Sequence, residues 1–145
     1  MNKNEVQAYF IEIGRLSIAG EGSDVYDKQY EYNDNNTAYE LDKKSAFDNA
    51  MYEMMSIGND YCIISSTTLD KELLDDKDFL ENECGGVDGI PTDGETYLPE
   101  NVIFSAKRDG YNVDFNFIQG QQVDETLLQY AKDYMKERFD VDYDR

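Results

Sequence analysis

The chain has 145 residues, and its 32 acidic and 13 basic residues give a formal net charge of −19 at pH 7. The longest basic runs are the pairs Lys43-Lys44 and Lys107-Arg108, so composition argues against direct binding to nucleic acid or to an anionic membrane. There is no histidine, which excludes Ser–His and Cys–His nucleophilic sites and imidazole metal ligands. The 12 tyrosines and 7 phenylalanines predict a folded protein rather than a disordered acidic chain.

Length predicts a single acidic domain over residues 1–145, because a chain of this size buries enough surface for one core. Its first residues, MNKNE, are polar and lack the apolar run of a signal peptide. We therefore expect a cytoplasmic protein, in the host cytoplasm if the chain is viral, with Cys62 and Cys84 as free thiols. Cys62 lies in the apolar run YCII, which indicates a small core residue.

The first apolar segment, NEVQAYFIEIGRLSI, fits two patterns. Val6, Phe10 and Ile13 follow helical spacing, whereas Tyr9, Ile11 and Ile13 alternate as in a strand. We expect a helix, because Asn4 can cap it and AGEG can end it.

The polar stretch that follows contains Tyr26, Tyr30 and Tyr32, which suggest a short strand, and NDNN at 33–36, which is typical of a turn. A helix is predicted for SAFDNAMYEMMSIG, with Ser45 as its N-cap. Its apolar stripe consists of Phe47, Ala50, Met51, Met54 and Met55.

The run YCIISS at 61–66 predicts a central strand, after which Thr67 or Thr68 is expected to cap a helix reaching about Glu83. Residues 86–100 contain two prolines and several glycines, and they predict an irregular acidic loop.

Two strands over 102–118 flank Asp109-Gly110, which is the strongest short hairpin signal in the chain. Asp124 is the predicted N-cap of a last helix, whose buried stripe consists of Leu128, Ala131, Met135 and Phe139. The predicted fold class is α+β: a small antiparallel sheet packed by about three to four helices.

No enzyme is predicted, since no P-loop or dinucleotide-binding motif occurs and any carboxylate pair is expected by chance in so acidic a chain. No cofactor or metal site is predicted either. NDNNTAYELDKK lacks the glycine and distal glutamate of an EF-hand, although DGIPTDGETYLPE leaves an irregular cation loop open.

The most acidic stretch is residues 70–100, called the acidic segment below. It holds eleven carboxylates against Lys71 and Lys77. They are Asp70, Glu72, Asp75, Asp76, Asp78, Glu81, Glu83, Asp88, Asp93, Glu95 and Glu100. Carboxylates on one helix face recur about every 5 Å, which approaches the charge spacing of a phosphate backbone. These residues are therefore the predicted partner-binding site, and the predicted partner is a basic protein.

In size and charge the chain resembles phage-encoded DNA-mimic inhibitors, which block restriction enzymes, CRISPR nucleases or polymerases. The resemblance implies a non-enzymatic protein that occupies a basic nucleic-acid channel. One alternative is an immunity protein or antitoxin for a basic nuclease toxin. Another is an acidic adaptor that binds through exposed Tyr26, Tyr30, Tyr32 and Tyr39, whose other interpretation is half-buried strand positions.

Overall fold

The computed structural model describes residues 5–18, 30–56, 59–70 and 99–141. Their elements, in chain order, are β1 (Glu5–Ile18), β2 (Tyr30–Glu40), α1 (Lys43–Met54), β3 (Tyr61–Asp70), a 3-10 helix (Pro99–Asn101), β4 (Val102–Asp109), β5 (Asn112–Phe115) and α2 (Glu125–Phe139). The strands form one antiparallel sheet in the order β2-β1-β3-β4-β5.

β1 corrects the first prediction, because the segment expected to be a helix is a strand paired on both sides. It pairs with β2 along one edge and with β3 along the other. Ile11 and Ile13 belong to the cluster that contacts the helices, whereas Ala8 and Phe10 belong to a second buried cluster. A strand buried on both faces has apolar residues at odd and even positions, and these matched helical spacing by coincidence.

β2 runs through the predicted turn at 33–36, so that prediction is also wrong. Ile13 pairs with Asn36 and Gly14 with Asp34, which leaves Asn35 as the extra residue of a β-bulge. Polar residues are tolerated there because β2 is the last strand on its side of the described sheet. Tyr26 lies outside the described residues.

α1 confirms the second helix prediction, with one change at its start. The N-cap is Asp42 rather than Ser45, and the Asp42 side chain accepts a hydrogen bond of 2.9 Å from the Ser45 backbone N–H. The buried stripe consists of Ala46, Phe47, Ala50, Met51 and Met54, and Met55 is partly buried beside it.

β3 is longer than predicted and extends to Asp70. Thr67 and Thr68 pair with Ala8 and Gln7 of β1, so neither residue caps a helix. The threonines favour the strand because their branched side chains fit a paired, pleated backbone. The rest of the predicted acidic helix lies outside the described residues.

The hairpin prediction is confirmed by β4 and β5, which are joined through Gly110 at φ +64°. The chain leaves β5 at Asn116, which has φ +55°. Gln121 accepts hydrogen bonds from the Ser105 hydroxyl and from the Ile118 backbone N–H, and its Nε2 donates to Asn116 Oδ1 at 3.1 Å. These bonds hold the connection to α2 against β4.

α2 is also confirmed, and Asp124 caps it by accepting a 3.1 Å hydrogen bond from the Leu127 backbone N–H. The buried residue of its first turn is Leu127, not Leu128. The other buried residues of the helix are Ala131 and Met135. Leu128 is half-buried, and Phe139 packs partly buried at the far end.

The fold is α+β, but the prediction of three to four helices is wrong, because the described chain has two α-helices against five strands. The segment predicted as the first helix became β1. Both α-helices contribute to one apolar cluster with the sheet. The Phe47 and Phe104 rings meet edge to face there, with centroids 5.5 Å apart, an arrangement that aromatic pairs prefer.

Arg108 joins the C-terminal end of α1 to the hairpin. Its Nε–H donates to the carbonyl oxygens of Met54 and Asn59, both at 2.9 Å, and its Nη2 donates to the Ser56 carbonyl at 3.0 Å. A further bond runs from Nη1 to the Gly110 carbonyl at 3.0 Å. The guanidinium therefore satisfies carbonyl groups at a helix end, where intrahelical partners are lacking.

Replacing Arg108 by alanine should lower the free energy of unfolding by about 2–3 kcal/mol, since it removes several partly buried charge-assisted hydrogen bonds. Arg108→Lys should recover less than half of that loss, because an ammonium lacks the planar fork that reaches all four carbonyls. Urea unfolding followed by circular dichroism measures both variants. Equal stability of the lysine variant and the parent would contradict this account.

Candidate functional site

The acidic segment is described only at its two ends. Asp70 is the last residue of β3, and its backbone pairs with Glu5. Glu100 lies in the 3-10 helix before β4, and its side chain is exposed. The other predicted site residues lie outside the described residues: Glu72, Asp75, Asp76, Asp78, Glu81, Glu83, Asp88, Asp93 and Glu95.

Both ends of the acidic segment are attached to neighbouring strands. β3 and β4 are antiparallel, with Ser65 opposite Val102, so the segment leaves and re-enters the sheet at the same end. Beyond Ser65, β3 remains paired with β1 as far as Asp70. On the returning side, Gln122 donates from its side chain to the Glu100 carbonyl at 2.6 Å and from its backbone to the Val102 carbonyl at 2.9 Å.

A groove that the sequence analysis missed lies between α1 and α2, and we call it the helix groove. One part has a volume of about 250 Å³ and is lined by Lys44, Phe47, Asp48, Tyr130, Asp133, Tyr134, Glu137 and Arg138. The other has a volume of about 370 Å³ and is lined by Tyr52, Met55, Ser56, Tyr134, Arg138 and Phe139. Tyr134 and Arg138 line both parts, so the two parts adjoin at these side chains.

Aromatic rings form much of the helix groove. Tyr130 and Tyr134 lie against Phe47, with ring centroids 5.7 and 6.3 Å away. The ring centroid of Phe139 is 6.2 Å from that of Tyr134 and 5.0 Å from that of Tyr111 in the hairpin turn. The side chain of Tyr52 is open to solvent, as shown by its exposed fraction of 66%.

Two of the chain's own cations lie on these rings. Lys44 Nζ is 4.9 Å from the Tyr130 centroid and 2.6 Å from a carboxylate oxygen of Asp48. The Arg138 guanidinium carbon is 4.7 Å from the Tyr134 centroid. Burial raises the pKa of Tyr134 although Arg138 opposes the shift, so its hydroxyl stays protonated at neutral pH. The groove thus combines aromatic rings with three carboxylates and two cations, and two of its rings already carry a cation.

The tyrosines predicted as possible anchors are not those of the helix groove. Tyr39 is buried, with its ring 5.1 Å from that of Phe10, which agrees with the strand interpretation rather than with an exposed anchor. Tyr30 and Tyr32 lie in β2, and Tyr26 lies outside the described residues. The signal for the groove was present as tyrosines and charges at i, i+4 spacing along both helices, such as Tyr130, Tyr134 and Arg138.

An ion pair fixes the two helices at the end of the groove where both begin. Lys43 Nζ lies 2.7 Å from Asp124 Oδ2, and this bond raises the pKa of Lys43. Burial pushes the pKa of Asp124 upward, but the hydrogen bonds from Lys43 and from the Leu127 backbone N–H outweigh burial and lower it. Asp124 therefore caps α2 and also attaches it to α1.

No cluster of three or more histidine, cysteine, aspartate or glutamate side chains in the described ranges has the geometry of a metal site. Cys62 is buried, as predicted for a core residue, and burial raises the pKa of its thiol; Cys84 lies outside the described residues. Among the helices of the described chain, none has the length and hydrophobicity needed to cross a lipid bilayer.

Comparison with known proteins adds no relative, because no family model, no curated protein and no solved structure matches this chain.

The Lys43–Asp124 pair should make stability depend on pH. Asp124→Asn keeps a good N-cap but removes the charge, and it should cost about 0.5–1 kcal/mol at pH 7, because both groups are partly solvated. Because the folded-state pKa of Asp124 is lowered, the parent has the higher free energy of unfolding at pH values above the unfolded pKa of about 3.9. This difference in stability disappears as the pH falls through the folded pKa.

Urea unfolding of the parent and the Asp124→Asn variant between pH 2 and 7 measures this difference, and taking the difference removes the pH dependence of the groups that both chains share. Lys43→Met is the matched partner variant, and the double variant should cost no more than either single change. A difference that stays constant across the whole pH range would exclude the ion pair as its source.

Proposed function

We propose that the chain is a non-enzymatic inhibitor whose acidic segment occupies the basic nucleic-acid-binding channel of a partner enzyme, such as a nuclease, a restriction or CRISPR effector, or a polymerase. One observation carries the proposal. Eleven carboxylates lie in a segment with only two lysines, and both ends of that segment continue from adjacent, paired strands.

The charge of the acidic segment accounts for about half of the net charge of the whole chain. Concentrated like charges repel one another and destabilise the folded state. That cost is explained if the charges act on a partner, because an acidic surface steers a basic protein toward it and speeds association. Channels lined by lysine and arginine bind phosphate largely through charge, so correctly spaced carboxylates compete for the same groups.

Attachment to the sheet supports the proposal physically. A charged segment that is held at both ends loses less conformational freedom on binding than a free tail does. The closing pairs are Glu5–Asp70 on one side and Ser65–Val102 on the other. Basic residues are adjacent in the sequence at only two places, Lys43-Lys44 and Lys107-Arg108, and both lie outside the acidic segment. The partner is therefore a basic protein, and the chain itself does not bind nucleic acid.

Competition with duplex DNA tests the function. DNA-binding proteins are first captured from a cell lysate on DNA-cellulose and then eluted. The eluted proteins are passed over the immobilised chain. We expect the chain to retain a DNA-binding enzyme, to inhibit it at one-to-one stoichiometry, and to release it when duplex DNA is added. Raising salt from about 50 to 200 mM should weaken inhibition by at least tenfold, as expected when several charge contacts carry the binding.

Two matched triple variants locate the surface. Asp75→Asn, Asp76→Asn and Asp78→Asn together should weaken inhibition by at least about tenfold, because each lost charge contact contributes to affinity. Asp109→Asn, Asp114→Asn and Asp140→Asn remove the same charge from exposed positions outside the segment and should leave inhibition within about twofold of the parent. Equal effects of the two triples would refute a role for the acidic segment.

The immunity-protein alternative predicts a different specificity. A chain of that kind would neutralise a single toxin nuclease and leave every unrelated DNA-binding enzyme active. Assaying the parent chain against several unrelated nucleases and polymerases separates the two functions. Inhibition confined to one toxin would replace the DNA-mimic proposal.

A further inference from the structure

We infer that the helix groove is a docking site for a basic amphipathic helix of a partner protein. None of its lining residues belongs to the acidic segment, and the inference stands whether or not that segment mimics DNA. The argument rests on the shape of the groove, on its aromatic lining and on its charge.

The groove has the shape to receive a helix. Its walls are α1 and α2, which lie side by side over the sheet and contribute to the same apolar cluster. The 12 residues of α1 correspond to about 18 Å, or roughly three helical turns. Side chains at i and i+4 positions form ridges between which a third helix packs, and a helix laid in a groove is a recurrent mode of recognition.

The lining provides contact area at the end of the groove farther from the Lys43–Asp124 pair. Tyr52 is well exposed, and Tyr111, which lies beside the lining residue Phe139 with its ring centroid 5.0 Å away, has 61% of its surface exposed. Met55 and Phe139 are only partly buried against the core. Exposed tyrosines beside apolar side chains are the residues that dominate binding energy in protein interfaces. An apolar stripe on the incoming helix would cover them.

Charge selects the sign of the partner. Three carboxylates, of Asp48, Asp133 and Glu137, line the groove against two cations, Lys44 and Arg138, and Lys44 and Asp48 pair with each other. The lining thus has a small negative excess, within a chain whose net charge is −19. A second copy of this chain would bring another −19 of net charge, and nucleic acid is also anionic, so both are repelled. Lysine or arginine side chains along the edge of an incoming helix would meet Asp133 and Glu137 and the faces of the tyrosine rings.

The test uses a synthetic probe. It is a fluorescein-labelled peptide of about 14 residues with leucines at i, i+3, i+4 and i+7 and lysines elsewhere, a helical amphipathic pattern. One control peptide has glutamate in place of every lysine. A second has the same composition with leucine and lysine strictly alternating, which is a strand pattern. Fluorescence anisotropy against the full chain, at about 150 mM salt to reduce unspecific attraction, gives the dissociation constants.

We expect the helical basic peptide to bind, and both control peptides to bind at least about tenfold more weakly. The methyl NMR signal of Met55 should shift on binding, because that side chain lines the groove. Tyr52→Ala should weaken binding by about fivefold or more, the effect of losing an interface anchor. Val123→Ala, at another exposed apolar position outside the groove lining, should change the affinity by less than about twofold.

Several outcomes would overturn the inference. They are no binding of the helical peptide, equal binding of either control peptide, an unshifted Met55 signal, and an unchanged affinity of Tyr52→Ala. Circular dichroism of Tyr52→Ala checks that the fold is retained, and Glu137→Gln gives a second exposed variant that should also weaken binding. If the peptide instead loses affinity only for the Asp75, Asp76 and Asp78 triple variant, it binds the acidic segment and the groove is not its site.

Discussion

Pairing of β1 along both of its edges is the constraint on which the other elements depend. Because β2 and β3 bond to opposite sides of β1, the helix between them, α1, must cross over one face of the sheet. The same pairing extends β3 as far as Asp70. The sheet therefore fixes the position of α1 and the point at which the acidic segment begins.

The two ends of the sheet carry different polar connections. At one end, the acidic segment leaves β3 and returns into β4, near the start of both helices and the Lys43–Asp124 ion pair. At the other, Arg108 bonds the end of α1 to the hairpin. α1 is thus held near both of its ends by charged side chains of other elements, and α2 is held at its start by Lys43.

Both proposed surfaces would select a basic partner, but by different physics. The acidic segment would act through charge density, which operates at long range and is screened by salt. The helix groove, whose lining has three carboxylates against two cations, would act mainly through aromatic contact area, which operates only on contact. A partner that uses both surfaces would be attracted by the first and oriented by the second.

The sequence alone determined the features that depend on neighbours within a few residues. The 102–118 hairpin follows from Asp109-Gly110, and both helices follow from apolar spacing and from acidic residues at their starts. The surplus negative charge follows from the composition, and its concentration in residues 70–100 follows from the order of the residues. Tertiary structure decided the rest: that β1 is a strand, that Thr67 continues β3, and that Tyr39 is buried. Those outcomes, like the groove between α1 and α2, depend on residues far away in the chain. Such residues pair with a strand or cover its faces, and local spacing does not encode these contacts.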